Sequence, residues 1–213
     1  MFAGKYLDEY NLLENLCRDN KNLHIVNLDV GSITGIVSAR DEVLKTTESL
    51  DMLISNAALM DTVKCSLYEP PMDLEAVWNS FNVNALGPLR LAETFLPLLD
   101  RGFLKRLCFV SSEVSSIVLM KHRSDFTFPY PMSKTALNMG VRLLHNHLFG
   151  QGYTFRLFHP GWMKRRAQDG SLSLTALYDP DFIGGIAAKY FVTPLRDEHR
   201  LVMTDYNGYE WTF

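Results

Sequence analysis

Cysteine is scarce in this sequence. Cys17, Cys65 and Cys108 are odd in number and far apart in 213 residues. That argues against a disulfide framework or a zinc site and for a reducing compartment. Long apolar runs are missing as well. None approaches the roughly 18 residues that a membrane span needs, and the N-terminal stretch has neither an apolar signal core nor a small-residue cleavage pattern. There is no excess charge of one sign. The formal net charge is −3, so no footprint for nucleic acid is expected, and the longest basic cluster, Lys164-Arg165-Arg166, reads as a solvated loop. His145 and His147 lie two apart on an expected helix and face different ways, so no metal site is expected there. Repeats, linkers and low-complexity stretches are lacking too. What remains is one cytoplasmic domain over residues 1–213, with no membrane or nucleic-acid partner.

What the sequence does have is a steady alternation of short apolar runs with longer amphipathic ones. Apolar residues make up 47% of the chain, enough for a full core. Strands are expected at Leu23–Val30, Leu50–Ala57, Leu104–Ser111, Tyr153–His159 and Arg200–Thr204. Helices are expected at Ile33–Ser49, Leu74–Arg101, Pro131–Phe149 and Asp181–Val192. Pro88 should bend the long second helix or mark a local irregularity. Strand–helix–strand alternation at this spacing predicts a Rossmann-like, doubly wound parallel α/β sheet. Runs such as Cys108-Phe109-Val110 are apolar throughout, as strands covered on both faces should be. Ligands of such sheets sit beyond the carboxyl ends of the strands. Attention therefore falls on Asp29, Asn56, Ser111, Ser112, Pro160 and Gly161.

Tyr130-Pro-Met-Ser-Lys134 opens a helix, and residues four apart share a helical face. A free phenol has a pKa of about 10. A neighbouring cation favours its ionised form by roughly 1–3 units, which makes the pair a usable general acid or base. The same spacing also describes a surface tyrosine with a lysine one turn on. Ser112 lies at the end of the preceding strand, where its hydroxyl can meet a substrate carbonyl beside the phenol. Alternatively, Ser111 and Ser112 merely end that strand and cap the next segment. Asn84 falls mid-helix, where asparagine is a poor helix former. Holding a relay water is one reason for it to be there, and a satisfied core side chain is another. Asn82, two residues earlier, is the rival position.

Taken in order, these segments resemble the short-chain dehydrogenase/reductase family. Leu28-Asp29-Val30 is similar to its adenine-side aspartate turn, and Ser55-Asn56-Ala57-Ala58 to its Asn-Asn-Ala-Gly. Phe81–Gly87 resembles the helix carrying the family asparagine, with the match on Asn84. Phe109–Ser112 resembles the strand carrying the family serine, with the match best on Ser112. Tyr130 and Lys134 match Tyr-x-x-x-Lys, and His159-Pro160-Gly161-Trp162 matches the turn beside the nicotinamide. The tail Asp205–Phe213 resembles that of carbonyl-reductase-like members.

The resemblance implies NAD(P)-dependent hydride transfer to or from a small carbonyl or alcohol substrate. Tyr130 would act as the acid. Lys134 would tune the phenol and hold the ribose. Ser112 would polarise the carbonyl, and Asn84 would hold the relay water. The cofactor, NAD or NADP, would lie against Asp29, Val30, Asn56, Ala57, Ala58, Tyr130, Lys134, Pro160, Gly161 and Trp162. A homodimer or homotetramer pairing through Leu74–Arg101 and Pro131–Phe149 is implied as well.

The family's Thr-Gly-x-x-x-Gly-x-Gly turn is not present. Met1–Asn22 resembles the helix after the family's second strand, so the first two family strands are expected to be missing. In the order 3-2-1-4-5-6-7, that would leave Leu23–Asp29 without a neighbour and Leu53-Ile54 as an exposed apolar edge. A non-catalytic binding or scaffold protein derived from the family, or a truncated gene product, stays open as an alternative. The segment between Ser112 and Tyr130, with Lys121, His122, Arg123 and Asp125, is expected to form part of a substrate-side loop. Trp162, Met163, Phe126 and Phe128 are candidates for an apolar pocket wall, or equally for core or lid packing.

Overall fold

The computed structural model describes residues 2–4, 12–60, 71–120, 128–164 and 176–213. Cys65, Lys121, His122, Arg123, Asp125, Phe126, Arg165 and Arg166 lie outside them. The elements are β1 (Phe2–Gly4), α1 (Leu12–Asp19), β2 (Ile25–Asn27), α2 (Ile33–Leu44), β3 (Met52–Ser55), α3 (Leu74–Phe81) and α4 (Gly87–Leu99). They continue with β4 (Arg106–Val110), α5 (Pro129–Leu148), β5 (Thr154–His159), α6 (Pro180–Val192), β6 (Met203–Asp205) and β7 (Glu210–Trp211). Each strand and helix expected from the pattern is present with shifted ends: α5 starts at Pro129, β6 runs to Asp205, and the expected Leu74–Arg101 helix is divided into α3 and α4.

The main sheet runs β3-β4-β5-β6-β7, parallel except for the antiparallel β7. Strand residues alternate between two covered faces. Leu107, Phe109, Phe155 and Leu157 join Ala92, Leu99, Leu137 and Val141 on the side of α4 and α5. Cys108 and Phe158 meet Ile183 and Phe191 of α6 on the other. Burial on both faces explains why these strands read as unbroken apolar runs.

One expectation needs correction. Leu23–Asp29 does not lack a neighbour. Ile25–Asn27 pairs in parallel with Phe2–Gly4, which takes the place next to β2 that the second family strand would hold. Three residues of strand leave too short a pattern to separate from the helical segment after them, and their pairing is a tertiary event. The other half of the expectation stands. β2 and β3 belong to separate sheets, and Ile54 on β3 is 46% exposed. The two sheets still share one helical layer. Val26 and Val30 pack with Ile36 and Val43 of α2 and Leu91 and Phe95 of α4, and Leu50 and Leu53 lie against the same cluster.

The irregularity expected near Pro88 is a single π-helical turn, Asn82–Leu86, between α3 and α4. Gly87 comes directly after it. A Cβ there would stand 3.0 Å from the Val30 carbonyl oxygen, so only glycine lets the helix approach the β2 turn this closely without a shift. Among the described residues, no helix is long and apolar enough to cross a membrane.

Candidate active site

The carboxyl ends of β4 and β5 and the start of α5 enclose a cleft of about 360 Å³. Ser112, Tyr130, Ala58, Pro160, Gly161 and Trp162 all line it. Ser111 lines it too, but its hydroxyl is buried and donates to Asn138 Oδ1 at 2.7 Å. Ser112 sits in extended backbone as the cap of the short turn Glu113–Ser115, and its Oγ lies 3.5 Å from the Val114 amide nitrogen. That is at the limit of a hydrogen bond, so Ser112 carries the less committed of the two hydroxyls.

Tyr130 is held half-buried in the first turn of α5, and Lys134, one turn on, is 2% exposed. The Lys134 ammonium lies 5.8 Å from the centre of the Tyr130 ring, beneath the cleft rather than in its wall. It donates to the Val110 carbonyl at 2.9 Å. Burial pushes its pKa from 10.5 down to about 8, and no carboxylate among the described residues offsets it. The ammonium is therefore still protonated at neutral pH. It has three N–H groups, and one hydrogen bond accounts for one of them.

Asn84 is fully buried within the π turn. Its Oδ1 accepts from the Leu59 amide at 2.7 Å, and its Nδ2 donates to the Leu59 carbonyl at 2.7 Å and to Ser133 Oγ at 2.9 Å. The side chain thus fastens the loop after β3 to α5 and has no reach into the cleft. Asn82 does a related task further out. Its Nδ2 donates to the Gly31 carbonyl at 2.9 Å, and its Oδ1 accepts from Arg90 at 2.6 Å.

The remaining positions expected at a cofactor are more scattered. Asn56 and Ala57 are exposed on the loop after β3 and do not line the cleft. Asp29 and Val30 lie in the turn after β2, beside the smaller sheet, where Asp29 Oδ1 accepts from the Gly31 amide at 3.0 Å. Met163 joins the cleft wall, whereas Phe128 does not. At Gly161 the backbone has φ +75°, and a Cβ would stand 2.7 Å from the Tyr206 ring. Glycine is required there on both counts.

His159 was legible only as part of the His-Pro-Gly-Trp segment. It is buried at the end of β5 and lines the cleft. Its Nδ1 accepts from the Glu113 and Gly161 amides at 3.2 and 3.3 Å. Burial pushes its pKa below the usual 6.5, with Glu113 and Asp205 opposing the shift. Nothing in sequence spacing signals this role, because the two amides lie on different sides of a strand crossover.

A parallel sheet with a serine hydroxyl at a strand end and a phenol on the first turn of a helix lining one cleft, next to a buried ammonium, defines a Rossmann-like α/β protein. The profile of the enoyl-(acyl carrier protein) reductase family matches residues 4–181. C-signal of Myxococcus xanthus is 34% identical over 164 residues, which span 77% of this chain and 93% of that protein. An uncharacterized oxidoreductase of Schizosaccharomyces pombe is 28% identical over 183 residues, 85% of this chain and 70% of its own length. The crystal structure of NADPH-bound carbonyl reductase from chicken fatty liver superposes with a TM-score of 0.82 at 24% identity, over 99% of this chain and 86% of that one. The chain belongs to the short-chain dehydrogenase/reductase family.

Proposed function

We propose that the protein is an NAD(P)-dependent oxidoreductase that interconverts a small carbonyl compound and its alcohol. The observation that carries this is the convergence of Ser112 and Tyr130 on one cleft with the protonated Lys134 buried beneath it. The cleft fits the nicotinamide–ribose end of the cofactor, because Lys134 is a buried donor with three N–H groups, of which the bond to Val110 occupies one among the described residues. Pro160, Gly161 and Trp162 form the wall beside that end. The cofactor, when bound, supplies or accepts the hydride.

The chain's own groups handle the rest. Ser112 Oγ donates to the substrate oxygen and polarises the carbonyl. Tyr130 gives its proton to that oxygen as negative charge develops on it. Lys134 holds the ribose hydroxyls and favours the charge left on the phenol. The Asn84 side chain is engaged by Leu59 and Ser133, so its part here is to hold the loop after β3 against α5. Titration of the folded chain with NADH and NADPH, read by energy transfer from Trp162 in the cleft wall, tests the assignment together with aldehyde and ketone reduction. Saturable micromolar binding and turnover are expected with one of the two. A folded chain that binds neither would overturn the reading.

The same reading includes a homodimer through α3 and α5, which pack side by side. Leu74 and Trp78 on one helix, and Met139 and Leu143 on the other, are exposed at i, i+4 spacing, with Trp78 71% exposed. A contiguous apolar face of this kind suits a self-complementary interface. Sedimentation should give a dimer for the native chain and a monomer for Trp78→Glu. A monomeric native chain would remove the proposal.

A further inference from the structure

Two of the loops that line the cleft are joined by one imidazole. The first loop leaves β4 and carries Ser112. The second leaves β5 and carries Pro160, Gly161 and Trp162. Nδ1 of His159 accepts an amide hydrogen bond from each, from Glu113 at 3.2 Å and from Gly161 at 3.3 Å. A ring nitrogen that accepts two N–H groups carries no proton itself, so the ring is in the tautomer with hydrogen on Nε2.

The ring is also wedged from behind. The Trp211 indole meets it edge-on with centroids 5.1 Å apart, and Trp211 Nε1 donates to Asp205 Oδ2 at 3.1 Å. Asp205 stands opposite His159 in the β5–β6 ladder and also accepts the Asn207 and Tyr209 amides. The C-terminal hairpin thereby presses the ring against both loops.

We propose that His159 is a positioning residue of the active cleft. Its neutral imidazole clamps the Ser112 loop to the Pro160–Trp162 turn, so that the group polarising the substrate and the wall beside the nicotinamide keep a fixed separation. The clamp has a built-in acid sensitivity. A proton on Nδ1 would turn the acceptor into a donor and break both bonds at once. The charged groups facing the ring are the Glu113 and Asp205 carboxylates, which favour the proton, while burial opposes it. Tyr130 and Lys164 line the same cleft. Because the folded-state value is depressed, the clamp is intact above about 6.5 and is lost as pH falls through the lower folded value.

The inference rests on the oxidoreductase reading for its functional meaning, but its test does not need turnover. Ring-nitrogen NMR of the native chain at neutral pH should report hydrogen on Nε2. Hydrogen exchange should find the Glu113 and Gly161 amides protected, both losing protection in acid together with titration of the ring. His159→Phe keeps an aromatic ring but removes the acceptor. It should speed exchange at these two amides by roughly five- to tenfold, the loss of one ordinary hydrogen bond each, while amides in the middle of β4 and β5 stay as before. His159→Asn places Oδ1 where Nδ1 was, so it should restore protection and abolish its acid loss.

In an active preparation, His159→Phe should lower kcat more than it raises KM, and His159→Asn should recover most of the loss without the acid limb. Hydrogen on Nδ1 at neutral pH, or unchanged exchange in His159→Phe, would overturn the clamp. A preparation with no turnover but with the expected exchange pattern would retain the clamp and count against the oxidoreductase reading alone.

Discussion

Tyr130→Phe is expected to lower kcat for carbonyl reduction by about two to four orders of magnitude, the usual worth of a positioned general acid. The substitution removes one oxygen and leaves the ring. The ring's place in the first turn of α5 and its 5.8 Å approach to the Lys134 ammonium are kept. Cofactor affinity should therefore change little, and so should stability. The loss falls on kcat because the proton is needed only as charge develops on the substrate oxygen, not in the ground-state complex. Steady-state kinetics beside a cofactor titration makes the separation. A variant with native kcat would mean that the proton comes from elsewhere, and Tyr130 would lose its role. A variant with weak cofactor binding would mean that the phenol holds the cofactor instead.

The path from sequence to fold was short where burial alone sets the pattern. Strands covered on both faces, such as Leu107–Phe109, carry uninterrupted apolar residues because helices lie on either side of them. The irregularity at Pro88 was visible because proline and a mid-helix asparagine both disfavour a regular turn. What was hidden depends on distant partners. β1 is three residues long, and only its pairing with β2 makes it a strand.

The choice between Ser111 and Ser112 rests on Asn138, 27 residues away, which engages the first hydroxyl. The task of the Asn84 side chain is set by Leu59, 25 residues away, so a pattern that locates Asn84 cannot tell a water-binding amide from a loop tether. Of the positions expected at the cofactor, Ala58, Tyr130, Pro160, Gly161 and Trp162 converge on the cleft, whereas Asp29 and Val30 stand apart in the turn after β2.

Lys134→Met is expected to abolish reduction while making the folded chain more stable at neutral pH. Lys134 is almost completely buried, and no carboxylate among the described residues offsets its charge. The drop from 10.5 to about 8 corresponds to about 3 kcal/mol of unfavourable burial, at about 1.4 kcal/mol per unit. Methionine fills a similar volume without the charge. It leaves the Val110 carbonyl without its donor, which returns about 1 kcal/mol. The net gain is about 2 kcal/mol.

Its pH dependence distinguishes this cause from simple better packing. Below about 8 the ammonium is charged in both the folded and unfolded chain, and the full burial cost is present. Between about 8 and 10.5 the folded chain releases its proton while the unfolded chain keeps it, so the cost shrinks. Above 10.5 neither form is charged, and the advantage of methionine disappears. Denaturant unfolding at pH 7 and pH 10 should show the gain and then its loss. A variant less stable than the native chain at pH 7 would mean that the bond to Val110 outweighs the buried charge. A gain that is the same at both values would mean packing. On the proposed function, that outcome would place Lys134 among residues kept for chemistry against the interest of the fold: a buried cation with no carboxylate partner among the described residues costs the free protein stability, and it would become useful when ribose hydroxyls and a developing phenolate meet it.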